Sequence, residues 1–381
     1  MNILIAGDFA PRARLAKQID ERKYGDIFSE DLRRIISSAD FSIVNFESPV
    51  AGNNFKPITK CGPNLRCTPN AVEALGYAGF SAVTMANNHI LDYGADGLLA
   101  SVDCCKKAGI ETVGAGSSLD EAEKILYFGK GNGNENDNDS ETLAVINCCE
   151  HEFSIATETS AGANPLNAVR QYRAIQEARR HANRVLVIVH GGHEHFQLPS
   201  PRMQEIYRFF IDAGADAVVN HHQHCFSGYE EYKGKYIFYG LGNFSFDTLP
   251  RETNSSWNEG FMLQLNFGEQ TAFQLYPYSQ YAEHATIELL PENAFSEKLA
   301  ELNHIIADRA LLRTHVEDYY NRCSKSELSL FEPYRGRVLG KLYRMGLLPS
   351  FVRGKKLTAI LNHIACEAHR DKMTHALQNK I

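Results

Sequence analysis

No apolar run in the 381-residue chain approaches the roughly 18–20 residues that a membrane-spanning helix requires. The opening residues, Met1-Asn2-Ile3-Leu4-Ile5-Ala6-Gly7-Asp8, lack a basic n-region and are too short an apolar stretch for a signal peptide. They read as a strand, with the mature chain beginning at its fold. The nine cysteines form no C-x-x-C spacing, and their odd number leaves at least one thiol unpaired. They read as reduced, small hydrophobes, which with the missing secretion signal points to the cytoplasm. Nor is there an excess of positive charge. A formal net charge of −7 is not the basic footprint of a nucleic-acid binder. What remains is an ordinary globular composition, long enough for one large domain and a smaller appendage.

Five short apolar runs stand out, and each ends in polar residues. Asn2–Ala6 runs into Gly7-Asp8, and Phe41–Val44 into Asn45-Phe46-Glu47. Phe80–Met85 leads to Ala86-Asn87-Asn88-His89. Val185–Val189 ends at His190, and Ala217–Val219 at Asn220-His221-His222-Gln223-His224. Too short for helices and rich in Val and Ile, these runs predict buried strands. Amphipathic stretches at Tyr24–Ser38, Asn70–Gly79, Leu98–Ala108, Pro165–Ala182 and Pro201–Ala213 predict intervening helices, hence an α/β sheet with many parallel strands. Ligands of such sheets bind beyond the carboxyl ends of the strands, where the Asp, Glu, Asn and His residues cluster.

Two further segments divide the chain. Gly129–Asp139 reads as a turn or loop. From about Glu230 to Leu290 strand candidates recur at Tyr236–Tyr239, Phe261–Phe267 and Ala272–Pro277, predicting a second sheet packed on the first. After Pro291 long helical patterns take over, at about Ala294–Cys323, Leu330–Met345 and Lys355–Gln378. The expected division is therefore residues 1–291 and 292–381. Phe295–Ile381 holds 15 Lys and Arg against 9 Asp and Glu. No acid lies between Pro333 and Cys366, where Arg335, Arg337, Lys341, Arg344, Arg353, Lys355 and Lys356 fall. Such a segment is a solvated basic face, or one that attracts a membrane surface or an anionic polymer.

The polar strand ends form a mixed oxygen and nitrogen donor set without thiolate, suited to Mn²⁺, Zn²⁺ or Fe. Two such ions ~3.5–4 Å apart would clamp the attacking and leaving oxygens of a hydrolytic reaction, and Glu47 is the candidate bridge. Asn88 is read as a ligand. His89, with Asp92 three residues on, is read as a general acid held by a carboxylate. A His-x-His pair in extended chain puts both rings on one face, which selects His222 and His224 and leaves His221 pointing away or lining the pocket. His190 is followed by Gly191-Gly192, which permit close approach of a ligand. Asn45, Asn87, Glu194, His221 and Asn243 are expected to contact substrate or to orient ligands, and His193 and His195 to play a supporting role or lie exposed.

Together these stretches resemble the CapA-like proteins of poly-γ-glutamate capsule synthesis. The matching segments are Gly7-Asp8, Asn45–Glu47, ANNHILDYG at Ala86–Gly94, HGGHE at His190–Glu194, HHQH at His221–His224 and Gly228–Asp247. That family looks like a branch of the calcineurin-like metallophosphatases. The resemblance implies a four-layer α/β/β/α sandwich, with a helical appendage following. It implies a divalent metal centre, expected to hold two ions, at Asp8, Glu47, Asn88, His190, His222 and His224, with His89 as catalytic acid. It also implies hydrolysis of a phosphoester or amide-type bond, or an accessory role beside a membrane-bound polymer synthase. The partner would be an anionic polymer or its precursor, met in the cytoplasm or at a membrane reached through a partner or the basic segment. The chain departs from the pattern in places. Ala10 replaces the His of the metallophosphatase Asp-x-His motif, and Asn45-Phe46-Glu47 replaces the Gly-Asp core. Gly191, Asn220 and Gln223 stand where Trp, Gly and Pro are usual.

Overall fold

The computed structural model describes residues 1–130, 141–248, 256–281, 284–334 and 336–378. Most of the expected Gly129–Asp139 loop and Arg335 lie outside the described residues. The chain divides into two compact units, Met1–Leu312 and Arg313–Ile381. The helix Ser296–Ala307, which composition grouped with the appendage, packs on the first unit: Asn303 Oδ1 accepts from the Tyr229 amide at 2.8 Å, and Ile306 O from Gln204 at 3.0 Å.

The first unit begins with the strands β1 (Asn2–Phe9), β2 (Phe41–Phe46), β3 (Ala82–Thr84) and β4 (Glu111–Val113), all parallel neighbours. β5 (Ala115–Gly116) pairs with β8 (Gly162–Ala163) as a small separate ribbon. Between them come β6 (Leu126–Lys130) and β7 (Glu141–Cys149), and after them β9 (Arg184–His190), β10 (Ala217–His221), β11 (Tyr229–Tyr232) and β12 (Lys235–Phe238). These six form a second sheet in the order β11-β12-β10-β9-β7-β6, parallel in its centre and antiparallel at both edges. β13 (Asn243–Ser245) returns to pair with β1, and β14 (Glu259–Phe267), β15 (Thr271–Gln280) and β16 (Ile287–Leu289) extend the first sheet antiparallel beyond β1.

Thus a second sheet exists, but the strand-rich segment after Glu230 does not build it alone. β14–β16 widen the first sheet, while β9 and β10 centre the second. A strand buried on both faces reads as the same apolar run whichever sheet it joins, so the runs carried no signal for that division.

Strand alternation sets the layers. Ile3 and Ile5 of β1, Ile43 of β2 and Ala82 of β3 face inward against Leu143, Val145, Leu186, Ile188 and Val219 of the second sheet. Leu4, Ala6, Val44 and Val83 face the other way, onto Leu15, Ile19, Leu32, Ile36, Leu75 and Leu98 of the covering helices. Ala168–His181 and Pro201–Asp212 cover the far face of the second sheet. The result is the four-layer α/β/β/α sandwich that the resemblance implied. Each large aliphatic side chain taken fully out of water contributes roughly 1.5–3 kcal/mol, so this doubled core fixes the sheet register firmly.

The expected helix Tyr24–Ser38 is broken in two, Tyr24–Ile27 and Glu30–Ser38. Ser29 caps the second piece, accepting from the Leu32 amide at 3.3 Å. A tighter constraint lies at Gly7. A Cβ there would sit 1.8 Å from the Gly242 carbonyl oxygen, because β13 crosses against β1 at this point. Gly7→Ala is therefore expected to cost ~3 kcal/mol through overpacking, read as a lowered midpoint in denaturant unfolding. An unchanged midpoint would contradict the close approach.

Candidate metal centre

The polar residues meet where the carboxyl ends of both sheets' central strands converge. Asp8 is the penultimate residue of β1, and the β1–β2 register shifts between Ala6 and Asp8. Such a bulge re-aims the side chain it carries. Glu47 immediately follows β2, its amide bonded to Phe9 O at 3.0 Å. Asn87, Asn88 and His89 form the turn after β3, anchored to the opposite sheet by the Ala86 amide donating to Asn147 Oδ1 at 2.7 Å. His190 ends β9 and His221 ends β10.

The His-x-His pair is not the extended pair that its spacing predicts. His222 and His224 are not in extended chain: their φ angles are 92° and 55°, and β10 has already ended. The rings converge nonetheless, with centroids 6.1 Å apart. Two non-glycine residues in the left-handed region are strained, and such strain collects at functional sites.

His190 Nε2 lies 3.1 Å from Asn88 Oδ1, 3.1 Å from His222 Nδ1 and 3.6 Å from Glu47 Oε1. A metal with bonds near 2.1 Å spaces its ligands roughly 3 Å apart, so these separations fit a shared ion. On the other side of Glu47, His224 Nε2 lies 3.9 Å from Oε1, and His224 Nδ1 3.6 Å from Asp8 Oδ2. The donor atoms form two groups, Glu47–His190–His222 and Asp8–Glu47–His224, each within 4.8 Å. Glu47 belongs to both.

Tautomers follow from the amides. Asn243 Nδ2 donates to His224 O and Trp257 O, each at 3.2 Å, so its Oδ1 must accept from His224 Nδ1 at 2.9 Å. His224 therefore presents an unprotonated Nε2 to the site. Asn45 Nδ2 donates to Asp8 Oδ1 at 2.7 Å, while Asn87 Nδ2 donates to Phe46 O at 2.9 Å and its Oδ1 accepts from the His89 amide. Neither Glu47 oxygen has a hydrogen-bond partner among the described residues, and Glu47 is fully buried. An unmet buried carboxylate is the strongest sign that the residues fit a cation. Both ring nitrogens of buried His221 are likewise unpartnered, with Nδ1 3.7 Å from Asp8 Oδ1, so this ring lines the site.

Burial dominates the electrostatics. It pushes the Asp8 carboxyl up to about 7, against the Asn45 and His222 hydrogen bonds that pull it down. Burial, then repulsion from Asp8, raises Glu47 well above the usual carboxylate range. Burial depresses His190, His222 and His224 and takes His221 down to about 3. Protonated carboxyls and neutral imidazoles are what such a cluster adopts without a cation, and a cation reverses the carboxyl half.

Comparison with known proteins identifies the family. The model of the bacterial capsule synthesis protein family PGA_cap matches residues 2–248. The chain belongs to this PGA_cap family. It is 33% identical over 244 residues to the PGA biosynthesis protein CapA of Bacillus subtilis, covering 64% of this chain and 63% of that one. It is 31% identical over 262 residues to the capsule biosynthesis protein CapA of Bacillus anthracis, covering 67% and 62%. The match thus spans less than two-thirds of the length of these curated relatives. Among solved structures, a hypothetical protein of Thermus thermophilus aligns at a TM-score of 0.45 with 14% identity, over 74% of this chain and 100% of that one. The 5'-nucleotidase of Candida albicans aligns at 0.40 with 11% identity, over 72% and 50%. Likenesses this distant add nothing to the strand order already described.

The residues at which the sequence reads as departing from the CapA-like pattern make local contacts. Asn220 donates to Gly191 O at 2.9 Å and Tyr239 O at 3.1 Å and accepts from Tyr207 at 2.7 Å, tying three segments together. Gln223 Nε2 donates to Phe196 O at 3.0 Å and pins the loop after His190. Gly191 packs against Glu150, where a Cβ would lie 2.6 Å from Cγ.

Of the remaining expectations, Asp92 does sit beside His89, Oδ2 to Nδ1 at 2.6 Å, although through a turn rather than a helix. Glu194 is exposed but close enough to raise Asp8 and Glu47 by repulsion. His193 is half-buried, and exposed His195 stacks obliquely on Trp257, centroids 5.5 Å apart. Two residues were missed. Glu152 approaches His222 Nε2 at 3.6 Å and accepts from Asn88 at 3.2 Å. It follows the apolar run of β7, so the strand-end rule applied to a sixth run would have found it. Lys60 is buried in an ion pair with Asp92 and lies 3.1 Å from His89 Nδ1. It sits in an irregular segment with no periodic signal.

Lys60→Met strands the Asp92 charge and is expected to cost about 3–5 kcal/mol, measured by denaturant unfolding; a loss below ~1 kcal/mol would deny the pair its structural role. Trp257, the only tryptophan, stacks 4.7 Å from His224, so its fluorescence should report Mn²⁺ binding. Because Asp8 must lose its proton to bind, affinity should rise as pH increases through about 7. Affinity that is flat from pH 5 to 9 would contradict that competition.

Proposed function

We propose that the chain is a metal-dependent hydrolase of capsule-polymer metabolism, acting on a phosphoester or amide-type bond of an anionic polymer such as poly-γ-glutamate or of its precursor. The observation that carries this reading is the sharing of Glu47 between two donor groups. Asp8, Glu47, Asn88, His190, His222 and His224 would hold divalent metal, with Mn²⁺, Zn²⁺ or Fe suiting the donors. Bound metal supplies Lewis acidity and a water acidic enough to ionise near neutral pH.

The chain's own residues do the rest. Asp92 engages His89 Nδ1, so proton exchange with substrate falls to Nε2. From there His89 gives its proton to the leaving atom, while Lys60 keeps Asp92 fixed and charge-balanced. Asn243 holds the His224 tautomer and Asn45 orients Asp8.

A second reading, an accessory subunit of a polymer synthase, has one specific support. A relative from Mycobacterium tuberculosis, 26% identical over 224 residues and matched by 54% of this chain, is named a probable polyglutamine synthesis accessory protein. The variant His89→Ala separates the two. For a hydrolase it retains wild-type metal content and loses ~10²–10⁴-fold in Mn²⁺-dependent turnover of phosphoester or poly-γ-glutamate substrates. Wild-type protein that binds metal yet turns over neither class, with His89→Ala indistinguishable from it, favours the accessory role.

A further inference from the structure

We propose that the carboxyl-terminal unit, residues 313–381, docks on the interface of an anionic lipid bilayer. The proposal stands apart from the chemistry of the metal centre.

From Pro333 to Cys366 the sequence contains no acid and seven Lys or Arg. Arg337, Lys341, Arg344, Arg353, Lys355 and Lys356 are all exposed. The acid just before this stretch adds no surface charge, because Glu332 is buried and accepts from the amides of Phe351 at 2.9 Å and Val352 at 3.2 Å. That staple, with Tyr334 stacked on Tyr343, gives the unit internal order.

Large apolar side chains are exposed on the same stretch. Leu357, Leu361 and Ile364 recur at i, i+4 and i+7 along the helix Gly354–Ala365, a single stripe, and Leu361 is 62% exposed. Val338 is 72% and Leu347 63% exposed. Ile360, Ile364, Met373 and Leu377, with Phe331 and Lys356, line an apolar groove of about 540 Å³. Scattered exposed hydrophobes need no explanation, but a helical stripe of them within a basic field does.

The two features together select the occupant. A second copy would bring two basic fields into contact. A soluble anionic polymer would satisfy the charge and leave the apolar stripe in water. An anionic bilayer meets both needs, with headgroups for the cations and acyl chains for Leu357, Leu361 and Ile364. Among the described residues no helix is long and apolar enough to cross a membrane, so binding would be at the surface.

The test is flotation of the full chain with phosphatidylcholine vesicles, with and without phosphatidylglycerol. Binding is expected only to the anionic vesicles, weakening at least ~10-fold as the salt concentration is raised to 1 M. Arg337→Glu/Lys341→Glu/Arg344→Glu should weaken it at least ~10-fold, as should Arg353→Glu/Lys355→Glu, a second surface variant that guards against misfolding of the first. Leu357→Ser/Leu361→Ser/Ile364→Ser should also lower it ~10-fold at unchanged helix content by circular dichroism. Absence of flotation at low salt overturns the proposal. So do equal binding to neutral vesicles, retention of soluble polyglutamate without vesicle binding, or self-association through this face.

Discussion

Everything at the centre of this fold turns on Glu47, a fully buried carboxylate with no hydrogen-bond donor of its own among the described residues. Leaving an ionised group so placed without compensation costs several kcal/mol, and protonating it is the only relief that the chain itself supplies. Asp8 stands nearby and raises the cost further. Four buried imidazoles surround the pair, held neutral by their own desolvation. A divalent cation answers all of these demands at once. The fitness of this cluster for a cation is therefore a consequence of burial as much as of donor chemistry.

The double sheet makes that burial possible. β1 and β2 deliver Asp8 and Glu47, while β9 and β10 deliver His190, His221 and the turn that follows. The two groups reach one another because Ile3 and Ile5 pack against Leu186 and Ile188 across the sheet interface. Asn147 then clamps the Asn87–His89 turn to the second sheet. The strained backbone at His222 and His224 is supported by this frame rather than by local propensity. Farther out, Lys60 and Asp92 form a buried ion pair, and Asp92 holds His89 through Nδ1.

The convergence of the polar residues was legible because strand ends are legible. Five apolar runs stopping at polar residues located Asp8, Glu47, Asn88, His190 and the His222–His224 segment before any contact was known. The runs could not reveal which sheet each strand joined, since β2 and β9 present the same apolar pattern. Extended geometry for His-x-His does not hold because β10 ends at His221, before either residue of the pair, and the backbone turns at once into positive φ. Lys60 was invisible, because its role comes from a long irregular segment folding back on Asp92. The boundary of the appendage fell early because the helix Ser296–Ala307 is amphipathic like those after it, yet it covers Gly228 and Tyr229 of the first unit.

The most direct measurement is the metal content per chain of wild-type protein and of Glu47→Ala after loading with Mn²⁺ and removal of free ion. A shared carboxylate predicts about two ions in the wild type, one for each donor group, and loss of both sites' tight binding in the variant, because both groups contain Glu47. Wild-type protein that holds no ion in excess Mn²⁺, or a Glu47→Ala variant that holds the full complement, would contradict the proposal that both donor groups depend on Glu47.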